Sequence, residues 1–336
     1  MRRRAAFFCI YLLVFGIAAT IGLEVALLGR LIYHGLAIRH PTDMEGQFLA
    51  YGQTKFFGDY EHGALYWGLE PSVHDAIRKA KVVIVGSSHP QLGFSTKATR
   101  AYFADLGVSY YNLAMGYAEQ EVFPAHLLSR IGAHPKVVII DVDGIFQGFA
   151  SAPALDVMDG RISTFNTYLL KAAFVRFQRY LCPWMESLCS QTYISIYRSV
   201  SDGASNIPEN ADGTWLPTTA AIPVVRNAKP ELSPQTSDLA AQLVHARRFM
   251  DAVGLEKRCM IMTWVPEALG LGRDTHGAKL AHHLEVPFIN PALEGLASYD
   301  SSHLNRVSAE RWSAAALREM TPIIKSCIQA DGHPMR

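Results

Sequence analysis

From residue 80 onward, short apolar runs alternate with stretches in which apolar residues recur every three or four positions. Residues 81–85, Lys-Val-Val-Ile-Val, form an apolar run that stops at Gly86, as a short strand buried on both faces would. Residues 97–106 have helical spacing, 108–113 read as a strand, and 119–131 as a helix. Residues 136–140, Lys-Val-Val-Ile-Ile, repeat the buried-strand pattern. The alternation breaks from about 146 to 237, a turn-rich stretch too long for an ordinary loop, and is read as an insertion with short elements of its own. It then resumes with a helix at 237–253, a strand at 258–264, a helix at 277–284, a short strand at 286–289 and a last helix at 308–328. Strands alternating with helices predict an α/β domain over 80–330, with a mainly parallel sheet in a three-layer α/β/α sandwich.

The first residues follow a different rule. Arg2, Arg3 and Arg4 precede nineteen uncharged residues, 5–23, ending at Glu24. A helix of roughly 20 apolar residues crosses a bilayer, and basic residues stay on the cytoplasmic side. Residues 1–29 are therefore expected to be a cytoplasmic basic tip and one uncleaved transmembrane helix that puts the rest outside the cytoplasm. The apolar region of a cleaved signal is usually shorter, about 7–15 residues. Residues 30–79, rich in aromatics with Gly and His, read as a juxtamembrane region.

Composition narrows the function. With 49% apolar and 18% charged residues the chain can bury a core, and a net charge of +1 without a basic stripe argues against nucleic acid. Four of the five cysteines follow the anchor. Cys182 and Cys189 could bridge a local loop, whereas Cys259 and Cys327 read equally well as buried apolar residues. Neither pair has the spacing or the histidines of a zinc site, so no metal is expected.

Three features carry candidate chemistry, each just past a strand, where parallel sheets place their ligands. Gly86-Ser87-Ser88-His89 follows the first strand. There a glycine turn can present a hydroxyl, and backbone N–H groups can meet a developing oxyanion. Tyr111-Asn112-Leu113-Ala114-Met115-Gly116 ends the second strand and offers an amide and a backbone N–H. Asp300-Ser301-Ser302-His303 precedes the last helix, and an Asp three residues before a His can fold back to orient it as a base.

In this order the three features resemble the SGNH (GDSL-like) hydrolase superfamily over residues 81–328 apart from the insertion, and most closely its membrane-anchored bacterial branch acting on acyl esters of cell-surface polymers. The resemblance implies Ser88 as nucleophile, with its N–H in the oxyanion hole, His303 as base and Asp300 as the acceptor that orients it. Ser87 stands where the first block usually has Asp. Ala114 stands where the second usually has Gly, with Gly116 two positions on. The third block normally gives Gly-x-Asn after a strand, and this chain reads Asp141-Val142-Asp143. An ionised Asp143 would repel an oxyanion. Either Asn112 substitutes, or Asp143 is protonated or turned away, or the hole is weaker. His89 lies beside Ser88 and could line the pocket. Among the tryptophans, Trp264 at a strand end is the best candidate for stacking on a sugar, ahead of Trp184 and Trp215.

The expected function is a serine esterase or O-acyltransferase, held by its anchor in the inner membrane with the catalytic domain in the periplasm. Its partners would be membrane lipid, an envelope polysaccharide or other acylated polymer and, as the resemblance implies, a membrane-embedded acyl donor protein. No cofactor is called for. The rival expectations are a catalytically degenerate glycan-binding or envelope-assembly protein on the same fold, and a scaffold subunit of a membrane complex.

Overall fold

The computed structural model describes residues 14, 16, 46–52, 59–116, 119–181, 195–206, 222–223, 239–267, 273–300 and 302–329. Apart from Val14 and Gly16, the expected tip and anchor at 1–29 lie outside the described residues, as do Cys182, Cys189, Trp184 and Trp215. Among the described residues no helix is long and apolar enough to cross a membrane.

The chain opens with β1 (Gln47–Gly52), α1 (Tyr60–Trp67), α2 (Val73–Lys79), β2 (Val82–Val85), α3 (Ser88–Gly93), α4 (Lys97–Leu106) and β3 (Tyr110–Asn112). Next come α5 (Val122–Ile131), β4 (Val137–Asp141), α6 (Ala152–Met158), α7 (Ile162–Leu181), β5 (Ser195–Ser199), β6 (Ser205–Asn206) and β7 (Ile222–Pro223). It ends with α8 (Leu239–Val253), β8 (Met260–Thr263), α9 (Arg273–Leu284), β9 (Phe288–Ile289), β10 (Ala297–Ser298) and α10 (Arg306–Gln329).

Five strands form one sheet in the order β3-β2-β4-β8-β9, every neighbouring pair parallel. The apolar runs of β2 and β4 are buried at every position, since each face of the sheet is covered. Alternate residues divide between the two faces. Val83, Val85, Val138, Ile140, Met260 and Met262 join a core with α1, α2, α5, α8 and α9. Val82, Ile84, Val137, Ile139 and Ile261 join another, built mainly from Phe103 of α4 and Trp312, Ala316, Leu317, Met320 and Ile324 of α10. Local signals hold the helices in place. Thr96 caps α4 by accepting from the Thr99 N–H at 3.0 Å, and Gly107 ends it at φ 63°.

Of the expected juxtamembrane region at 30–79, the described residues 46–52 and 59–79 pack on the sheet domain: Phe48, Tyr60, Ala64, Leu65, Val73 and Ile77 are fully buried in the larger core. The described parts of the expected insertion at 146–237 pack there too. Its β5 pairs antiparallel with β1 and β6, and its α7 adds Tyr168, Ala172 and Val175 to the same core. The pairing links residues about 150 apart in the chain, so no local pattern announces it.

Cys259 and Cys327 are not separate apolar residues but a disulfide, with Cα atoms 5.8 Å apart. It ties the start of β8 to α10 across 68 residues of chain. Closing a loop of that length is worth about 2–5 kcal/mol. Reduction, or Cys259→Ser, is expected to lower the unfolding free energy by about that amount in a denaturant titration. A titration unchanged by reductant would mean the bond contributes nothing.

Candidate active site

The chain leaves β2 for β3 on one side, then crosses back to β4 on the other. The reversal opens a crevice between the carboxyl ends of β2 and β4, where open parallel sheets bind ligands. Gly86 leaves β2 at φ 150°, and a Cβ there would lie 2.5 Å from Pro90 Cγ, so only glycine fits the turn. Ser87 caps α3 by accepting the His89 N–H at 3.3 Å. Ser88 is thereby the first residue of α3. Its hydroxyl is half-buried, and its N–H belongs to the helix start, where no intrahelical carbonyl is available.

The opposite wall is the loop before α10. Asn305 caps that helix by accepting the Ser308 N–H at 2.9 Å, which leaves the Asp300 carboxylate for other partners. The Asp300 Oδ1 accepts from the N–H groups of Ser302 (3.0 Å) and His303 (2.7 Å). Its Oδ2 is 2.7 Å from His303 Nδ1, and His303 Nε2 is 2.7 Å from Ser88 Oγ. A carboxylate only accepts, so His303 donates from Nδ1 and its Nε2 is left to accept the Ser88 O–H. Burial works to raise the Asp300 pKa, but the hydrogen bonds from His303 and its own loop outweigh it and hold the carboxyl below its ordinary value. The imidazole is pinned further by Tyr299, whose ring stacks on it at 5.8 Å, and by its backbone carbonyl, which accepts from Ser298 Oγ at 2.6 Å.

Searches against protein-family models, curated proteins and solved structures find no match. The geometry of the crevice therefore carries the functional reading.

The structure brings together Ser88, His303 and Asp300, and beside them His89 and Asp143. His89 Nδ1 is 2.6 Å from Asp143 Oδ2, so the carboxylate is turned toward an imidazole. His89 Nε2 is 2.8 Å from Ser302 Oγ and 3.8 Å from Glu267 Oε2. Burial alone would lower the His89 pKa. The hydrogen bond and charge of Asp143, with Asp141 and Glu267 nearby, overcome that and push it up to about 9. Asp141 is fully buried and accepts the Val265 N–H at 2.9 Å. Burial and then the charge of Asp143 raise its pKa.

His89, Asp141 and Asp143 offer donor atoms within 4.8 Å of one another, a set that could suit a divalent cation. Two ligands on one tetrahedral zinc lie about 3.4 Å apart. The 2.6 Å between His89 and Asp143 is shorter than that and is the distance of a close, buried ion pair.

Two expectations fail here. Asn112 does not substitute in the oxyanion hole. Its amide is fully buried, donates to the carbonyls of Pro90 (3.2 Å) and Gln91 (3.1 Å), and accepts the Ala114 N–H at 3.2 Å. It fastens α3, which carries Ser88, to β3. Trp264 is no stacking platform, because the strand's alternation turns it inward to 2% exposure in the larger core. Gly116 remains a candidate: it is half-buried, and its N–H makes no hydrogen bond among the described residues.

Sequence reasoning missed Ser302, Asp141, Glu267 and Tyr299. A signal for the first was present: Ser-Ser-His occurs twice, at 87–89 and 301–303. The others reach the crevice from separate strand ends and leave no common pattern.

Proposed function

We propose that this chain is a serine acyl-transfer enzyme of the SGNH type, acting on an acyl ester. One observation carries the reading: the unbroken chain Ser88–His303–Asp300, with both links at 2.7 Å, at the mouth of the sheet crevice. In the mechanism it supports, Ser88 Oγ attacks the ester carbonyl as His303 takes its proton. Asp300 stabilises the imidazolium, and the Ser88 N–H faces the oxyanion. His303 then protonates the leaving alcohol, and an acyl-enzyme remains. Water resolving it makes an esterase; a sugar hydroxyl makes an O-acyltransferase.

Location favours an envelope substrate. The arginines before the apolar run at 5–23 argue for an inner-membrane anchor with the domain in the periplasm, and the Cys259–Cys327 disulfide suits an oxidising compartment. An anchored enzyme there meets polysaccharide and can receive acyl groups from a membrane-embedded donor. A glycan-binding protein without turnover is the alternative, favoured by Asp143 standing where the resemblance expects an Asn.

The test is covalent. Full-length protein treated with an alkyl fluorophosphonate is expected to carry the adduct on Ser88 by peptide mass spectrometry, and His303→Ala is expected to abolish it. An unlabelled Ser88, or labelling indifferent to His303, defeats the enzyme reading.

A further inference from the structure

The chain contains Ser-His at two places only, 88–89 and 302–303, and the two dipeptides exchange partners in the crevice. His303 Nε2 meets Ser88 Oγ at 2.7 Å, while His89 Nε2 meets Ser302 Oγ at 2.8 Å. Each imidazole is backed by a carboxylate, His303 by Asp300 at 2.7 Å and His89 by Asp143 at 2.6 Å. The ring centroids are 5.3 Å apart. Two Ser-His-Asp chains therefore lie side by side, but their surroundings differ. The Asp300 and His303 side chains are 36% and 17% exposed, against 9% and 8% for Asp143 and His89.

We propose that Asp143, His89 and Ser302 form a donor relay that completes the oxyanion hole, with His89 Nε2–H donating to Ser302 Oγ and the Ser302 hydroxyl proton left to meet the oxyanion. This rests on the serine acyl-transfer reading and names how that site tolerates an Asp at position 143. The direction of the His89–Ser302 bond decides between two roles. A neutral His89 would accept from Ser302 and make it a second nucleophile. A cationic His89 has two N–H donors and no acceptor, so Ser302 must receive one and its own proton points elsewhere. The groups facing His89 are Asp141 at the end of β4 and Asp143 just past it, Glu267 after β8, and Ser302 and His303 before α10. Three carboxyl groups surround the ring, and Asp143 first, then Asp141 and Glu267, push its pKa up to about 9.

The relay passes no proton. As the bond from Ser88 Oγ to the carbonyl carbon forms, the Ser88 proton moves to His303 and the C=O π pair moves onto oxygen, where Ser302 O–H and Ser88 N–H meet it. As the pair returns, the bond to the leaving oxygen breaks and His303 protonates that oxygen. Asp143 is neutralised by His89 throughout, which removes the repulsion an ionised carboxylate would exert.

The experiment compares wild type, His89→Gln, Ser302→Ala and the double variant on an activated acetyl ester, with fluorophosphonate labelling alongside. Each single change is expected to lower kcat by about 10²–10³-fold with KM little altered, the loss of one oxyanion donor. The double variant should be no slower than the slower single, since both break one relay. Wild-type kcat/KM should fall as pH rises through about 9, where His89 loses its proton, and that limb should be missing in His89→Gln. Ser302→Ala keeps the buried His89–Asp143 pair and so serves if His89→Gln folds poorly. Wild-type kcat in Ser302→Ala, an unchanged alkaline limb in His89→Gln, or an adduct on Ser302 in Ser88→Ala would each overturn the relay. These outcomes are read only where Ser88 labels in a His303-dependent way, so the relay can fail while the nucleophile stands.

Discussion

Ser88→Ala is expected to lower kcat on an activated acetyl ester by about 10⁶-fold while KM stays near its wild-type value. In the proposed mechanism the hydroxyl forms the bond to the substrate, and without it only water can attack. His303→Ala should cost about as much, and the two losses should not add, because nucleophile and base act as one unit. Asp300→Asn should cost about 10⁴-fold. The NH2 that replaces Oδ2 can only donate to His303 Nδ1, which favours the tautomer whose proton sits on Nε2, so that Nε2 no longer accepts from Ser88. Circular dichroism should be unchanged in the serine variant, since Ser88 is half-buried and only its hydroxyl is lost. A Ser88→Ala protein that keeps more than a tenth of wild-type kcat would end the acyl-enzyme mechanism.

Gly86→Ala is the second large effect, and it acts through the backbone. At φ 150° an L side chain is strained whatever the space, and here the new Cβ would also lie 2.5 Å from Pro90 Cγ and 3.2 Å from Asp141 Cβ. Neither neighbour yields easily, because one is a proline ring and the other a carbon at the root of a fully buried side chain. Strain and overpacking together are expected to cost about 2–4 kcal/mol of stability. The turn must shift to relieve the clash, and Ser88 is two residues away. A displacement of about 1 Å there should lower kcat by about 100-fold. Gly107→Ala is the control. It also has positive φ, at 63°, but a Cβ there meets nothing within 4 Å. It should cost about 1 kcal/mol and leave kcat unchanged. Equal kinetic losses at the two positions would show that Gly86 has no special part in setting the nucleophile.

Some of this molecule is written locally. The parallel sheet was legible because β2, β4 and β8 carry unbroken apolar runs, and a strand covered on both faces has no polar side to show. The pairing of β1 with β5 was not, since residues about 150 apart must meet and neither strand's pattern names the other. Cys259 and Cys327 were ambiguous for the same reason: a half-cystine and a buried thiol look alike until the partner is in place.

The candidate site divides along the same line. Ser88, Asp300 and His303 sit in short blocks whose chemistry depends on neighbours in sequence: a glycine turn before a hydroxyl, and a carboxylate three residues before an imidazole. Such blocks can be recognised one at a time. The roles of Asn112, Asp143, His89 and Trp264 depend instead on which way each side chain points and what meets it there. Asn112 turned to the backbone of α3, Trp264 turned into the core, and Asp143 turned to His89. Orientation and charge at a strand end follow from packing between elements far apart in the chain. Hydrophobic order and local motifs were therefore enough to single out Ser88, His303 and Asp300, while the surroundings of His89 and Asp143 took their form only when the strand ends converged.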